Sequence, residues 1–183
     1  MVPSFTLRPP LPSDVESLAV LHVRCWREAY GHLLPEEFFT DDRLKSRRRL
    51  WTMLTASAAA APQSAQPVQS AQSAQTKPAQ TIRVAEAAGE VVGFAGGGAP
   101  LDPEEAALGQ NLSMLYLRQD FHGSGAGQAL FDAVLPSGPA FLWVAKDNPR
   151  AQAFYRRNGF ALDGTEDVLE DFGGITEARM VRR

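Results

Sequence analysis

The chain has 183 residues, 44% hydrophobic and 21% charged, the composition of one globular domain able to bury a sizeable core. Its formal net charge of −3 gives no overall attraction to nucleic acid or to anionic membranes, and its single cysteine, Cys25, excludes an internal disulfide framework. No apolar run is long enough to span a bilayer and the N-terminus lacks a charged-then-apolar signal pattern, so a soluble cytoplasmic protein is expected.

Phe5 to Arg8 reads as a short first strand. Ser13-Asp-Val-Glu16 has capping-box spacing, which predicts a helix start. Val15, Leu18, Ala19, Cys25, Trp26 and Ala29 then recur with helical period toward Tyr30, which puts Cys25 on the apolar side as a packing residue. A second helix is expected from near Pro35, with Leu44, Leu50, Trp51 and Leu54 as core contacts. Its basic run, Arg43, Lys45, Arg47, Arg48 and Arg49, reads as a solvated face softened by Asp41 and Asp42.

Residues 56–80 are almost wholly Ala, Gln, Ser and Pro, with Lys77 the only charge and prolines at 62, 67 and 78. Nothing there offsets the entropy of ordering, which predicts a flexible surface insertion, with Ala56 to Ala61 extending the preceding helix. Ile82 to Glu86 and Val91 to Gly97 follow as a hairpin turned at Ala88-Gly89, and Leu112 to Leu117 as a further strand. Gly125 to Leu135 reads as a helix, Ala140 to Val144 as a strand, and Ala151 to Asn158 as a helix capped by Gly159. Phe160 to Leu162 and Arg179 to Val181 close the chain as strands. The order β-α-α-β-β-β-α-β-α-β-β predicts an α/β fold with a mixed sheet, one domain over 1–183 carrying the insertion.

The segment from Leu112 to Leu130 carries the chemistry: a strand, a short loop, glycines at 123, 125 and 127, then a helix. Glycines allow positive φ and a close backbone approach, and the loop ends at a helix N-terminus, where free N–H groups and the dipole favour an anion such as a pyrophosphate. Gly127 is followed by Gln128 and Ala129, so the Gly-Lys-Ser/Thr phosphate loop is excluded. A dinucleotide site is the rival reading, with Asp147 at the distance of a ribose-binding acid. Against it, the glycine spacing is Gly-x-Gly-x-Gly, and too little chain remains for repeated βαβ units.

Gln119 to Gly127, preceded by Leu115-Tyr-Leu117, resembles the signature of the GNAT acyltransferases, a Leu-Tyr-Val-like strand end followed by Gln/Arg-x-x-Gly-x-Gly/Ala. His122 stands where that family usually has Gln or Arg. A second segment, Asn148-Pro-Arg-Ala151-Gln-Ala-Phe154-Tyr155-Arg-Arg-Asn-Gly159-Phe160, resembles the family's Asn-x-x-Ala-x-x-Phe-Tyr-x-x-x-Gly-Phe. With the Trp26, Tyr30, Leu34-Pro35 region and the Ala178 to Val181 ending, the resemblance covers nearly everything outside the insertion.

The resemblance implies a mostly antiparallel central sheet flanked by helices, with two strands splayed around acetyl-CoA as co-substrate. It places Leu115, Tyr116 and Leu117 on the pantetheine arm, and His122, Gly123, Ser124, Gly125, Ala126 and Gly127 on the pyrophosphate. Asn148 and Ala151 then lie by the pantetheine or sulfur, and an N–H near Leu115 faces the oxyanion. It implies N-acetylation of a primary amine by direct attack in a ternary complex, with Tyr155 as the acid that protonates the departing thiolate and as a cofactor contact. The general base stays open among Glu86, Asn111, Ser113 and the Glu104-Glu105 pair. Trp26 and Tyr30, four apart on one helix face, either line the acceptor pocket or are core aromatics. Scattered histidines and one cysteine give no metal-ligand spacing. The acceptor is a small-molecule or peptide amine, and dimers are common among proteins of this resemblance. Two other classes remain open, a non-catalytic acyl-CoA-binding module and a nucleotide-dependent oxidoreductase.

Overall fold

The computed structural model describes residues 4–60, 80–100 and 102–183. Its elements are β1 (Thr6–Arg8), α1 (Val15–Tyr30), α2 (Asp41–Ala60), β2 (Gln80–Ala87), β3 (Glu90–Gly98), β4 (Gln110–Leu117), α3 (Ala126–Val134), β5 (Ala140–Ala145), α4 (Pro149–Arg157), β6 (Ala161–Leu169) and β7 (Ile175–Arg182). Strands and helices follow one another in the order read from the sequence. Among the described residues the strands form one seven-stranded sheet, β1-β2-β3-β4-β5-β7-β6, antiparallel throughout except between β4 and β5. The insertion expected over 56–80 lies mostly outside the described residues; Ala56 to Ala60 continue α2 and Gln80 opens β2.

Each sheet face carries its own core. On one face α1 and α2 bury Leu18, Leu21, Cys25 and Trp51 against Val84 and Phe94. On the other, α3 and α4 bury Leu130, Phe131, Val134 and Tyr155 against Leu142, Val144 and Met180. Cys25 is buried as expected, and burial pushes its thiol up to about 12, so no thiolate forms near neutral pH. The hairpin turn is made by Ala88 at φ 51° and Gly89 at φ 80°, and Gly159 takes φ 84° just past α4.

Two bulges shape the sheet. In β3, Val92 is extra opposite Ala85/Glu86, so Val91 and Phe94 face one core while Val92 and Ala95 face the other. In β4, Ser113 is extra opposite Gly96/Gly97, and its hydroxyl donates to the Gly96 carbonyl at 3.0 Å.

Three expectations are corrected. The Ser13–Glu16 capping box does not form, because charged groups offer stronger partners. The Asp14 carboxylate takes the Arg8 guanidinium at 2.6 and 3.0 Å and the Leu11 N–H at 2.7 Å, while Glu16 pairs with Arg48 of α2. Next, α2 starts at Asp41, after a short 3-10 turn over Glu36–Phe38, with the Thr40 carbonyl accepting from Arg43 and Leu44. Finally, the basic run is not one solvated face. Lys45 and Arg48 pair with Asp42 and Glu16, but Arg43 and Arg47 lie over aromatic rings.

Candidate active site

The parallel strands β4 and β5 pair only at Gln110↔Ala140 and Asn111↔Phe141. Beyond that point the Ser113 bulge bends β4 away. The outer edge of β4 stays bonded to β3 through Leu117, and that of β5 to β7 through Ala145. The backbone groups that Leu112–Leu117 and Leu142–Ala145 turn toward each other therefore have no strand partner. The result is a slot lined on both sides by free peptide donors and acceptors, and Leu115, Tyr116 and Leu117 all lie on it. One group is taken: the Leu117 carbonyl is 3.0 Å from His122 Nε2, which must carry the proton because a carbonyl only accepts.

At the mouth of the slot the loop 122–125 runs into α3. Gly125 caps the helix in the left-handed region at φ 88°, and Gly123 has φ 84°. A Cβ at either glycine would meet no protein atom within 4 Å, so the space above this backbone is open. The Ala126 N–H is held by Ser124 Oγ at 3.2 Å. The N–H groups of Gly123, Gly125, Gly127 and Gln128 make no hydrogen bond among the described residues. Free amides at a helix N-terminus, with open space above them, fit a phosphate group. Burial lowers the pKa of His122, and Arg150 lies close enough to lower it further, so one fixed cation stands beside the loop.

Helix α4 brings Tyr155 to the slot from the other side. Asn148 caps the helix by accepting the Ala151 N–H at 3.0 Å, and Pro149 occupies the first turn. Tyr155 is 8% exposed and more buried than Phe154, with its ring packed edge-on against both Phe154 and Phe160. Ala151 packs half-buried on the same core. Tyr155 belongs to the α3 and α4 core, and its phenol lies within electrostatic range of Tyr30 and Tyr116. Burial raises the pKa of all three phenols; Tyr30 adds to it for Tyr116 and Tyr155, and Glu177 adds to it for Tyr30. Asn148 sits beside the Tyr30 phenol and tempers its shift.

Trp26 and Tyr30 pack together with ring centroids 5.4 Å apart. Trp26 stacks on Phe38 at 5.8 Å and meets Phe172, from the turn between β6 and β7, at 5.2 Å. The Trp26 indole N–H is directed at Tyr116 without reaching hydrogen-bond geometry, and it is buried without a partner.

The sequence candidates for general base are mostly engaged elsewhere. Glu86 pairs with Arg8, Ser113 bonds Gly96, and Glu105 accepts the Trp143 indole N–H. Two groups that sequence reasoning passed over face the cleft instead. Glu177 of β7 lies near Tyr30 and Tyr116, and burial followed by Asp167 raises its pKa. Arg47 of α2 lies 5.5 Å over the Trp26 ring. Neither has a charged partner among the described residues. Their only sequence signals were strand alternation for Glu177 and membership of the basic run for Arg47.

A mixed sheet opened between two parallel strands, with a glycine-rich helix N-terminus at the opening, is the GNAT fold. A family model described as an acetyltransferase (GNAT) domain matches residues 78–162. An uncharacterized N-acetyltransferase of Mycobacterium tuberculosis is 38% identical over 98 residues, covering 49% of this chain. The chain spans only 58% of that relative's length. An acetyltransferase structure from Thermus thermophilus is 26% identical with TM-score 0.59, covering 99% of this chain and 97% of the other. The PaiA N-acetyltransferase of Thermoplasma acidophilum, solved in complex with coenzyme A, has TM-score 0.67 at 18% identity, covering 98% of this chain and 99% of its own. Residues 78–162 thus match the GNAT acetyltransferase domain, and the chain as a whole has the GNAT fold.

Among the described residues no helix is long and apolar enough to cross a membrane.

Proposed function

We propose that this protein is an N-acetyltransferase that moves an acetyl group from acetyl-CoA to a primary amine by direct attack in a ternary complex. The observation that carries this reading is the continuous path from the unpaired edges of β4 and β5 to the free amides at the start of α3. It matches a molecule with a peptide-like arm at one end and a pyrophosphate at the other. The coenzyme A bound by the similarly folded Thermoplasma protein supports it.

Bound acetyl-CoA supplies an acyl thioester activated toward amines. The chain's own groups do the rest. The amides of Gly123, Gly125, Gly127 and Gln128 hold the pyrophosphate, and the facing edges of β4 and β5 hold the arm. An N–H of the β4 edge near Leu115 stabilises charge developing on the carbonyl oxygen, an effect worth about 3–4 kcal/mol in other enzymes. As the C–N bond forms and the C–S bond breaks, the sulfur takes the Tyr155 proton. The raised pKa keeps that phenol protonated throughout the neutral range. The ammonium nitrogen loses two protons in becoming an amide; one restores Tyr155 and one is released to solvent, so amide, thiol and one proton are the net products.

The test is calorimetric titration with acetyl-CoA and with NAD(P), followed by measurement of thiol release in the presence of amines. Binding of acetyl-CoA with amine-dependent thiol release is expected. Binding without release for any amine would leave an acyl-CoA-binding module, and binding of NAD(P) alone would leave the oxidoreductase.

A further inference from the structure

The cleft on the α1 side of Tyr116 holds an arrangement of charge that nothing in the donor half of the site requires. Arg47 is half-buried, and burial followed by its neighbour Arg43 lowers its pKa. A guanidinium remains charged under any such shift. Arg47 nevertheless has no carboxylate and no hydrogen bond among the described residues. Its surroundings are the Trp26 ring, Arg43 and the buried, neutral His22. Arg43 stacks 4.0 Å over Phe38, and its only side-chain hydrogen bond among the described residues is to the Asp171 carbonyl. The two arginines, with His22, Val23, Trp26, Phe38 and Phe39, line a partly open cavity of about 10 Å³. That is roughly the space that one water or one carboxylate oxygen occupies.

His22, which lines this cavity, lies 5.0 Å from the ring of Tyr116 on β4. Tyr116 lies within electrostatic range of Arg47, and of Glu177, Tyr30 and Tyr155. Glu177 is likewise half-buried without a cation among the described residues. A cation and an anion without charged partners among the described residues thus lie near one phenol, Arg47 on α2 and Glu177 on β7 opposite Ala145 at the edge of the slot. Burying a charge without a partner is costly, and a ligand group of opposite sign offsets that cost.

We propose that the acceptor is an amine that also carries an anionic group, with the anion held at Arg47 and Arg43 and the amine held at Glu177 beside Tyr155. The proposal rests on the transferase reading above. Glu177 receives the ammonium, and its carboxylate takes one N–H proton to leave the neutral amine as nucleophile. That proton then passes to solvent. A polycationic acceptor fits poorly, because its second charge would meet the two arginines.

Thiol release is measured for L-amino acids against their carboxamides, for O-phosphoethanolamine against ethanolamine, and for spermidine. The first pair reports a carboxylate and the second a phosphate. In at least one pair the anionic member should show kcat/KM about tenfold or more above its neutral partner, the effect of one charge-assisted hydrogen bond. Arg47→Met should raise KM for that member by a similar factor and abolish the preference while acetyl-CoA affinity is unchanged. Arg47→Lys should recover part of it. Glu177→Gln should lower kcat/KM for every acceptor at constant acetyl-CoA affinity. Neutral amines or spermidine used as well as anionic ones in the wild-type protein overturn the proposal and leave the transferase reading standing, as does an Arg47→Met protein that keeps the preference. Acetyl-CoA binding with no amine acetylated overturns both.

Discussion

Replacing Gly125 by valine separates backbone strain from loss of the phosphate site. Gly125 sits at φ 88°, and a side chain placed there meets no protein atom within 4 Å. The folded chain therefore feels only the conformational penalty, about 1–2 kcal/mol for a left-handed residue. In a domain of this size that lowers Tm by about 2–8 °C. The ligand feels far more, because the new methyl groups occupy the open space above the free amides of Gly123, Gly125, Gly127 and Gln128. Displacing the pyrophosphate from two of them removes charge-assisted bonds worth about 1.5–3 kcal/mol each, or ~10²–10⁴ in affinity. Gly164, at φ 92° in the edge strand β6, is also open within 4 Å and is a matched control. Gly164→Val should show the same loss of Tm and bind acetyl-CoA as the parent does. The assay is calorimetric titration of acetyl-CoA into each variant, with thermal scans. A folded Gly125→Val protein of near-native affinity, or a Gly164→Val protein equally impaired in binding, would refute the assignment of the phosphate site.

Tyr155→Phe should keep acetyl-CoA affinity within a few-fold and lower the single-turnover rate by about 10²–10⁴, and an acyl donor whose leaving group needs no proton should recover much of it; a wild-type rate would make Tyr155 a packing residue. His22, buried among Trp26, Trp51, Phe94 and Tyr116, has its pKa lowered to about 3 by burial and by Arg47. Its neutral form therefore stabilises the fold fully above pH ~6.5, and that contribution is lost as pH falls toward 3, at about 1.4 kcal/mol per pH unit. His22→Phe should thus lose about 2–3 kcal/mol less than the parent in urea unfolding between about pH 7 and 4.5, and parallel losses would contradict this. On its Ala, Gln, Ser and Pro composition, deletion of 61–79 should leave Tm and acetyl-CoA affinity unchanged, and a large drop in either would show that the segment supports the domain.

Local period and glycine placement carried most of the architecture. The turn at Ala88-Gly89, the Gly159 cap and the alternation of β2 and β3 are set by near neighbours, and they lie where the sequence puts them. What escaped was long-range. Asp14 turns its carboxylate back to Arg8 and the Leu11 N–H, and Glu16 is drawn off by Arg48, thirty-two positions away. Pro35 looks like a helix start, but Phe38 is taken up by Trp26, so α2 waits for Thr40-Asp41-Asp42. The loop 122–127 and the Asn148–Tyr155 helix were legible because each is one continuous motif. The opposed pair Arg47 and Glu177 was not, since 130 positions separate residues that only the folded sheet brings to one phenol.

The Ser113 bulge has a consequence for the protein without its ligand. By holding β4 and β5 apart it leaves two strand edges unpaired inside the domain, each a template for any extended peptide. Protein without ligand would thus be open to strand addition by a neighbouring molecule or an unfolded segment. Filling the slot satisfies both edges at once and stabilises the folded state by mass action. With the proposed function, the supply of acyl-CoA would then govern not only turnover but also how long the molecule escapes self-association.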